Sequence, residues 1–282
     1  MKKVCSKMVP RLLTAEQKEI RMNICADILQ NIENDPNFLV NAITCGESWF
    51  FQYDPESKRQ SMHWKSPSSP RQKKALQSKS KFKALMIVFF DIRGIVHLDW
   101  VLEGQTVNQV YYKEVLTNLR ERVRRRPEMW KNGSRVLHQD DNALSVKTFL
   151  TKHKITVLER PPYSPDLAPC DFFLFPQIKS ALKGTRLESV DAVKTKATEP
   201  MNKLSEDDMQ HCFQQWKIRM ERCRDWGGGS TLMVTTFLLC KFLNKNVLTS
   251  VRLFYSHTTF SCTGCDIFQV AKRRLHFALP WV

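Results

Sequence analysis

The sequence predicts an α/β domain, a mixed sheet flanked by helices, and two observations carry that prediction. Short runs rich in β-branched and aromatic residues alternate with stretches of helical period. Their order, β-β-β-β-α-β-α-β-α after a first helix, sets hairpin-linked strands beside helix-linked ones. With 282 residues, 42% of them hydrophobic and 10% aromatic, the chain can bury one large core.

The elements follow in order. Thr14 to Gln17 reads as a capping box opening a helix to about Asn34, with Ile20, Ile24, Ile28 and Ile32 on one face. Asp35-Pro36-Asn37 ends it, and residues 38–45 and 49–53 read as two strands joined at Gly46-Glu47-Ser48. Residues 54–81 form an extended polar loop, rich in Ser and Pro, with a basic cluster at Arg71, Lys73 and Lys74. A hairpin pairs residues 84–90 with 95–101 around Arg93-Gly94. Thr106 to Gln109 caps the next helix, which carries Tyr111, Val115, Leu119 and Val123 on one face and ends in Arg124-Arg125-Arg126.

A strand at 135–139 runs into Asp140-Asp141-Asn142, and a helix (144–154) and a short strand (155–158) come next. Beyond the Pro-rich loop 160–169, helices are expected at 170–182, 190–204 and 206–224, the last behind a Ser205-x-x-Asp208 cap. Pro200 falls inside the second of these, where an interior proline costs roughly 3 kcal/mol. No internal repeat is visible.

Charge narrows the function. Lys and Arg number 44 against 28 Asp and Glu, a formal net charge of +16 that points to a polyanionic partner. The most apolar run, residues 232–240, falls far short of the roughly 20 residues a membrane span needs. No secretory signal opens the sequence, and nine cysteines stand without a repeating framework, so a soluble chain with free thiols in a reducing compartment is expected. Cys262-x-x-Cys265 lacks the second ligand pair of a zinc site.

Three segments place a carboxylate, or the spot for one, at a strand end or helix start: Thr44 to Trp49, Val136 to Asp140, and Tyr163 to Phe173. Strand ends are where distant side chains converge in α/β sheets. Carboxylates gathered there can hold paired Mg²⁺ ions that activate an attacking oxygen and stabilise a leaving one. Spacing alone does not separate this from ordinary strand-end aspartates. His138 suits a packed position, Trp49, Trp64, Trp100, Trp130 and Trp216 suit the core, and Arg122 to Arg126 either touch phosphate or oppose the helix dipole.

The residue strings are more specific. Tyr163 to Asp171, His138-Gln139-Asp140, residues 147–159, Trp49 to Asp54, Glu103 to Val107 and Trp216 to Met220 together resemble the Tc1/mariner DNA transposases, in the mariner branch. The resemblance runs from about residue 9 to about residue 228 and implies an RNase H-like fold whose Asp triad binds Mg²⁺ or Mn²⁺. It also implies cut-and-paste transposition at terminal inverted repeats, double-stranded DNA as partner, a homodimer joined through a clamp loop at 54–81, and a nuclear location. Residues 1–34 then carry the end of an interdomain linker and the first helix, 35–228 the catalytic domain, and 229–282 a non-homologous, poorly ordered tail. The paired helix-turn-helix units of such transposases are not matched, so a truncated copy is expected.

On this resemblance Asp140 and Asp171 are the catalytic and metal-binding residues, and Arg71, Lys73, Lys74, Arg124, Arg125 and Arg126 are the candidate DNA contacts. The sequence also departs from the pattern. The first triad position is Gly46, which has no side chain to ligate a metal, and Glu47 beside it should point to the opposite side of the strand. Asp54 lies beyond the next strand. Asp140 and Asp171 are separated by 30 residues, roughly four fewer than the family's spacing between paired aspartates. Asp141 is the alternative to Asp140. The expected function is therefore a catalytic domain without metal-dependent cutting that keeps DNA affinity; the alternatives are a non-enzymatic DNA-binding or dimerising module and a weakly active endonuclease that uses Glu47.

Overall fold

The computed structural model describes residues 11–57, 60–70, 72–74, 77–101, 104–126, 136–139 and 143–230. The expectations for Asp140, Asp141, Arg71, Trp130, the first ten residues and the tail from 231, with Cys262 and Cys265, lie outside them.

Helix α1 (Ala15–Asn34) leads into β1 (Ala42–Phe51), β2 (Lys83–Asp91) and β3 (Gly94–Val101). Helix α2 (Gln109–Arg124), strand β4 (Val136–Gln139), helix α3 (Leu144–Lys152) and strand β5 (Thr156–Glu159) follow. The chain closes with α4 (Phe175–Leu182), α5 (Val190–Asn202) and α6 (Glu206–Asp225). The sheet order is β3-β2-β1-β4-β5. β1 to β3 form an antiparallel meander, while β4 joins β1, and β5 joins β4, in parallel. The predicted mixed sheet with helices on both faces is therefore present.

Alternation along the central strands builds two cores. Ala42 and Phe50 of β1, with Met86, Val88 and Phe90 of β2, pack against α1, α4, α5 and α6. Ile43 and Cys45, with Leu85, Ile87 and Phe89, pack against α2 and α3. No described helix is long and apolar enough to cross a membrane.

Several local expectations are corrected. One ten-residue strand replaces the two drawn at 38–45 and 49–53, because β1 pairs with β2 without a break from Thr44↔Phe90 to Phe51↔Lys83. Cross-strand pairing overrides the turn signal of Gly46-Glu47-Ser48. The buried face of α1 is Arg21, Cys25, Ile28 and Leu29, while Ile20 is 38% exposed. Arg21 turns inward because Asp166, Ser164 and the Gly228 carbonyl all bind it. Asn108, not Thr106, caps α2, its side chain accepting from the Val110 and Tyr111 amides.

The helix expected from residue 170 begins as a π-helical turn (Cys170–Leu174) before α4. Pro200 does not break its helix: α5 runs through it to Asn202. The proline sits in the last turn, and buried Val193, Ala197 and Met201 hold the helix down.

Candidate functional site

β4 pairs with β1 only from Ala42 to Thr44 and then ends at Gln139; β5 ends at Glu159. From residue 45 onward no described strand pairs with that side of β1, and the loop after β5 folds against it. The result is a cleft of about 490 Å³. β1 contributes Cys45, Gly46 and Glu47, the start of α2 contributes Asn108, Gln109 and Tyr112, and the loop and π-turn contribute Arg160 and Asp171.

Gly46 and Asp171, two positions that the sequence resemblance assigns to the triad, are thus brought together. At Gly46 a Cβ would stand 2.5 Å from Cys170 Cβ and 3.0 Å from both Cys170 Sγ and Phe175 Cε2. Only glycine lets the π-turn approach this closely. Burial pushes the Cys170 thiol well above its ordinary range, so it is a neutral filler here.

Asp171 accepts a hydrogen bond from Arg160 at 2.7 Å, and the two side chains are 26% and 17% exposed. Glu47, exposed and registered opposite Ile87, lines the same cleft. This corrects the expectation for Glu47. Alternation does set its side chain opposite to position 46, whose Cβ would meet Cys170, yet Glu47 also lines the cleft. Asp54 lies elsewhere, 3.4 Å from Lys79.

His138 is packed, as expected. Its Nδ1 lies 3.2 Å from Thr44 Oγ1, and its ring centroid is 4.7 Å from that of Trp216. Burial, and then the charge of Arg160, lower its pKa to about 3, so it is neutral at any ordinary pH. Tyr112 donates to Gln139 Oε1 at 3.3 Å and tethers α2 to the end of β4.

The described residues do not fit a divalent-metal site. Gly46 offers no side-chain oxygen and Asp171 is engaged by a guanidinium. Among the described residues, no group of three or more His, Cys, Asp or Glu could hold an ion.

The basic candidates divide. Lys73, Lys74, Arg124 and Arg125 are exposed, although Lys74 pairs with Glu56 and Arg124 approaches Glu121 at 3.6 Å. Arg126 is anchored instead: it donates to Asp91 Oδ2 at 2.9 Å and to the Ile95 carbonyl at 3.1 Å, tying α2 to the β2–β3 hairpin. The tryptophans divide as well. Trp216 is in the core and Trp100 packs edge-on against Phe50, but Trp49 is 42% exposed and Trp64 fully exposed, against the core expectation. Lys83 sits 4.0 Å above the Trp49 ring, a cation–π pair at the surface rather than a buried contact.

Arg160 was not among the sequence candidates. The signal that could have found it is its place, directly after β5 and before Pro161-Pro162, at the same kind of strand end that marked the carboxylates.

Residues 54–132 match the family described as transposase (partial DDE domain). The Mariner Mos1 transposase of Drosophila mauritiana is 33% identical over 192 residues, which are 66% of this chain and 54% of that protein. The human histone-lysine N-methyltransferase SETMAR is 26% identical over 234 residues, 80% of this chain and 33% of that protein. The chain thus spans about half of one relative and a third of the other. Among solved structures, the Mos1 mariner paired end complex with Mn superposes with a TM-score of 0.72 at 26% identity, covering 81% of this chain and 67% of that one. A pre-cleavage Mos1 transpososome gives 0.71 at 28% identity, with coverage of 81% and 67%. Fold and sequence agree, and together they support a mariner-type transposase catalytic domain with an RNase H-like fold.

Proposed function

We propose that this chain is a mariner transposase catalytic domain that binds double-stranded DNA through its surface charge and has lost divalent-metal strand cleavage. One observation carries the reading: at the first triad position Gly46 packs on Cys170, and the third triad carboxylate, Asp171, is held by Arg160. Asp140, with Asp141 as its alternative, would be the second ligand. A pair of metal ions needs oxygens on both the attacking and leaving sides, and the described residues supply only part of that set. Charge supports DNA as the partner: the net charge is +16, and Lys73, Lys74, Arg124 and Arg125 are exposed. The Mos1 relatives are solved with DNA ends and with Mg or Mn. By the same kinship the chain would work in the nucleus, as a homodimer joined through residues 54–81.

A supercoiled plasmid incubated with the purified chain and Mg²⁺ or Mn²⁺ tests the loss of cleavage. The expected result is no nicking above a protein-free control. Nicking that disappears in Asp171→Ala would overturn it and favour the second reading, a weak endonuclease. Glu47, which shares the cleft with Asp171, is the observation behind that second reading, and Glu47→Gln would then abolish the activity.

A further inference from the structure

We propose that the Arg160 guanidinium is the resident cation of this cleft: it neutralises Asp171 where a divalent ion would otherwise sit, and it keeps such an ion out. The inference rests on the reading above and deepens it, because a lost ligand at Gly46 says nothing about what balances the carboxylates that remain.

Two observations meet at Arg160. Its backbone is fixed at the end of β5 by Pro161 and Pro162, so the side chain starts from a defined place. Its head group is 2.7 Å from Asp171 Oδ2 and only 17% exposed, a short charge-assisted contact with most of its surface removed from water. Arginine stays charged at every ordinary pH, so this compensation cannot be titrated away.

Glu47 lies in the same cleft, so at least two carboxylates share one cavity. In a metal site the ion holds such groups together. Here a covalently attached cation fills that role for Asp171. An incoming divalent ion would have to take the same oxygen while standing beside a fixed positive charge, and the partly desolvated surroundings strengthen that repulsion.

Mn²⁺ alone, titrated into the full chain and followed by electron paramagnetic resonance and by calorimetry, tests this. The wild type and Arg160→Lys, which keeps the charge, should both bind too weakly to saturate below about 1 mM. Arg160→Gln should bind at least about tenfold more tightly, and Arg160→Gln combined with Asp171→Asn should lose that gain. An unchanged affinity in a folded Arg160→Gln, judged by its melting curve, would overturn the inference and leave the loss of cleavage standing. Should Arg160→Gln fail to fold, the wild type still decides: saturable binding near about 10 μM that Asp171→Asn removes would contradict a resident cation, whereas weak binding indifferent to Asp171→Asn upholds it. Plasmid nicking by the wild type speaks to cleavage alone, so the two claims fail separately.

Discussion

Two aspartates five positions apart in one loop, Asp166 and Asp171, each face an arginine, and the two pairs behave as different devices. Asp166 holds Arg21 of α1 through both carboxylate oxygens at 3.1 and 2.9 Å, with side chains 3% and 0% exposed. Arg21 also binds Ser164 and the Gly228 carbonyl, so the pair joins the first helix, the loop and the chain after α6. Asp171 instead meets Arg160 at 2.7 Å in the lining of a cleft, with side chains 26% and 17% exposed. Burial, not the residue types, separates a structural staple from a functional group. The same two residue types serve both.

The largest effect should follow from breaking the staple. Removing one partner of a buried, fully bonded pair typically costs about 3–5 kcal/mol, because the other charge is stranded. Asp166→Ala should therefore bring urea unfolding close to zero denaturant, while Arg21→Met with Asp166→Leu together should recover most of the loss. If Asp166→Ala unfolds like the wild type, the contrast between the two pairs collapses.

These two pairs also mark how far the sequence could be read. The mixed sheet, the β2–β3 hairpin and the cap at Ser205 were legible, since periodicity and capping chemistry are local. Arg21 was not: an arginine on a helix reads as solvated, and only a partner 145 positions away turns it inward. β1 was split in two because Gly46 looks like a turn until β2 is laid beside it. At the site, Asp171 and the vacancy at Gly46 came from the strings themselves. Glu47 and Arg160 depended on which side of β1 the cleft opens, a tertiary fact that alternation alone cannot supply.

Gly46 sharpens the comparison from the other strand. Its close approach to Cys170 positions the π-turn that carries Asp171. Gly46→Ala should overpack this contact and cost about 1–3 kcal/mol, read as a lower midpoint at unchanged denaturant slope. Gly46→Ala combined with Cys170→Gly should be less destabilised than the two single costs add to, because the clashing atoms are then gone. Additive costs would mean that Gly46 does not hold the π-turn. Gly46→Asp meets the same obstacle, so restoring the family's residue alone should not restore a metal site.

His138 reports on Arg160 through pH. Its pKa is about 3 in the fold, against about 6.5 when unfolded. The unfolded chain therefore binds the extra proton first as pH falls. His138 contributes its full stability above about pH 6.5 and loses about 1.4 kcal/mol for each unit between there and the folded value. Melts at pH 7 and pH 5.5 should differ accordingly, and His138→Gln should flatten that part of the profile. A slope unchanged in His138→Gln would assign the acid sensitivity to other groups.

The smallest effect is the one that completes the contrast. Asp171 and Arg160 are mostly, not fully, removed from water, so losing their contact should cost about 1–2 kcal/mol, below the cost of stranding a fully buried charge. Asp171→Ala should thus lower the urea midpoint only modestly, although it stands five residues from a position where the same substitution is ruinous. A loss at Asp171 comparable to that at Asp166 would show that the cleft pair is also a staple, and that its arginine is there to hold the fold. A small loss leaves charge as what the Arg160–Asp171 pair chiefly contributes: it costs the fold little to open, and it is closed because two carboxylates in one cleft need a cation.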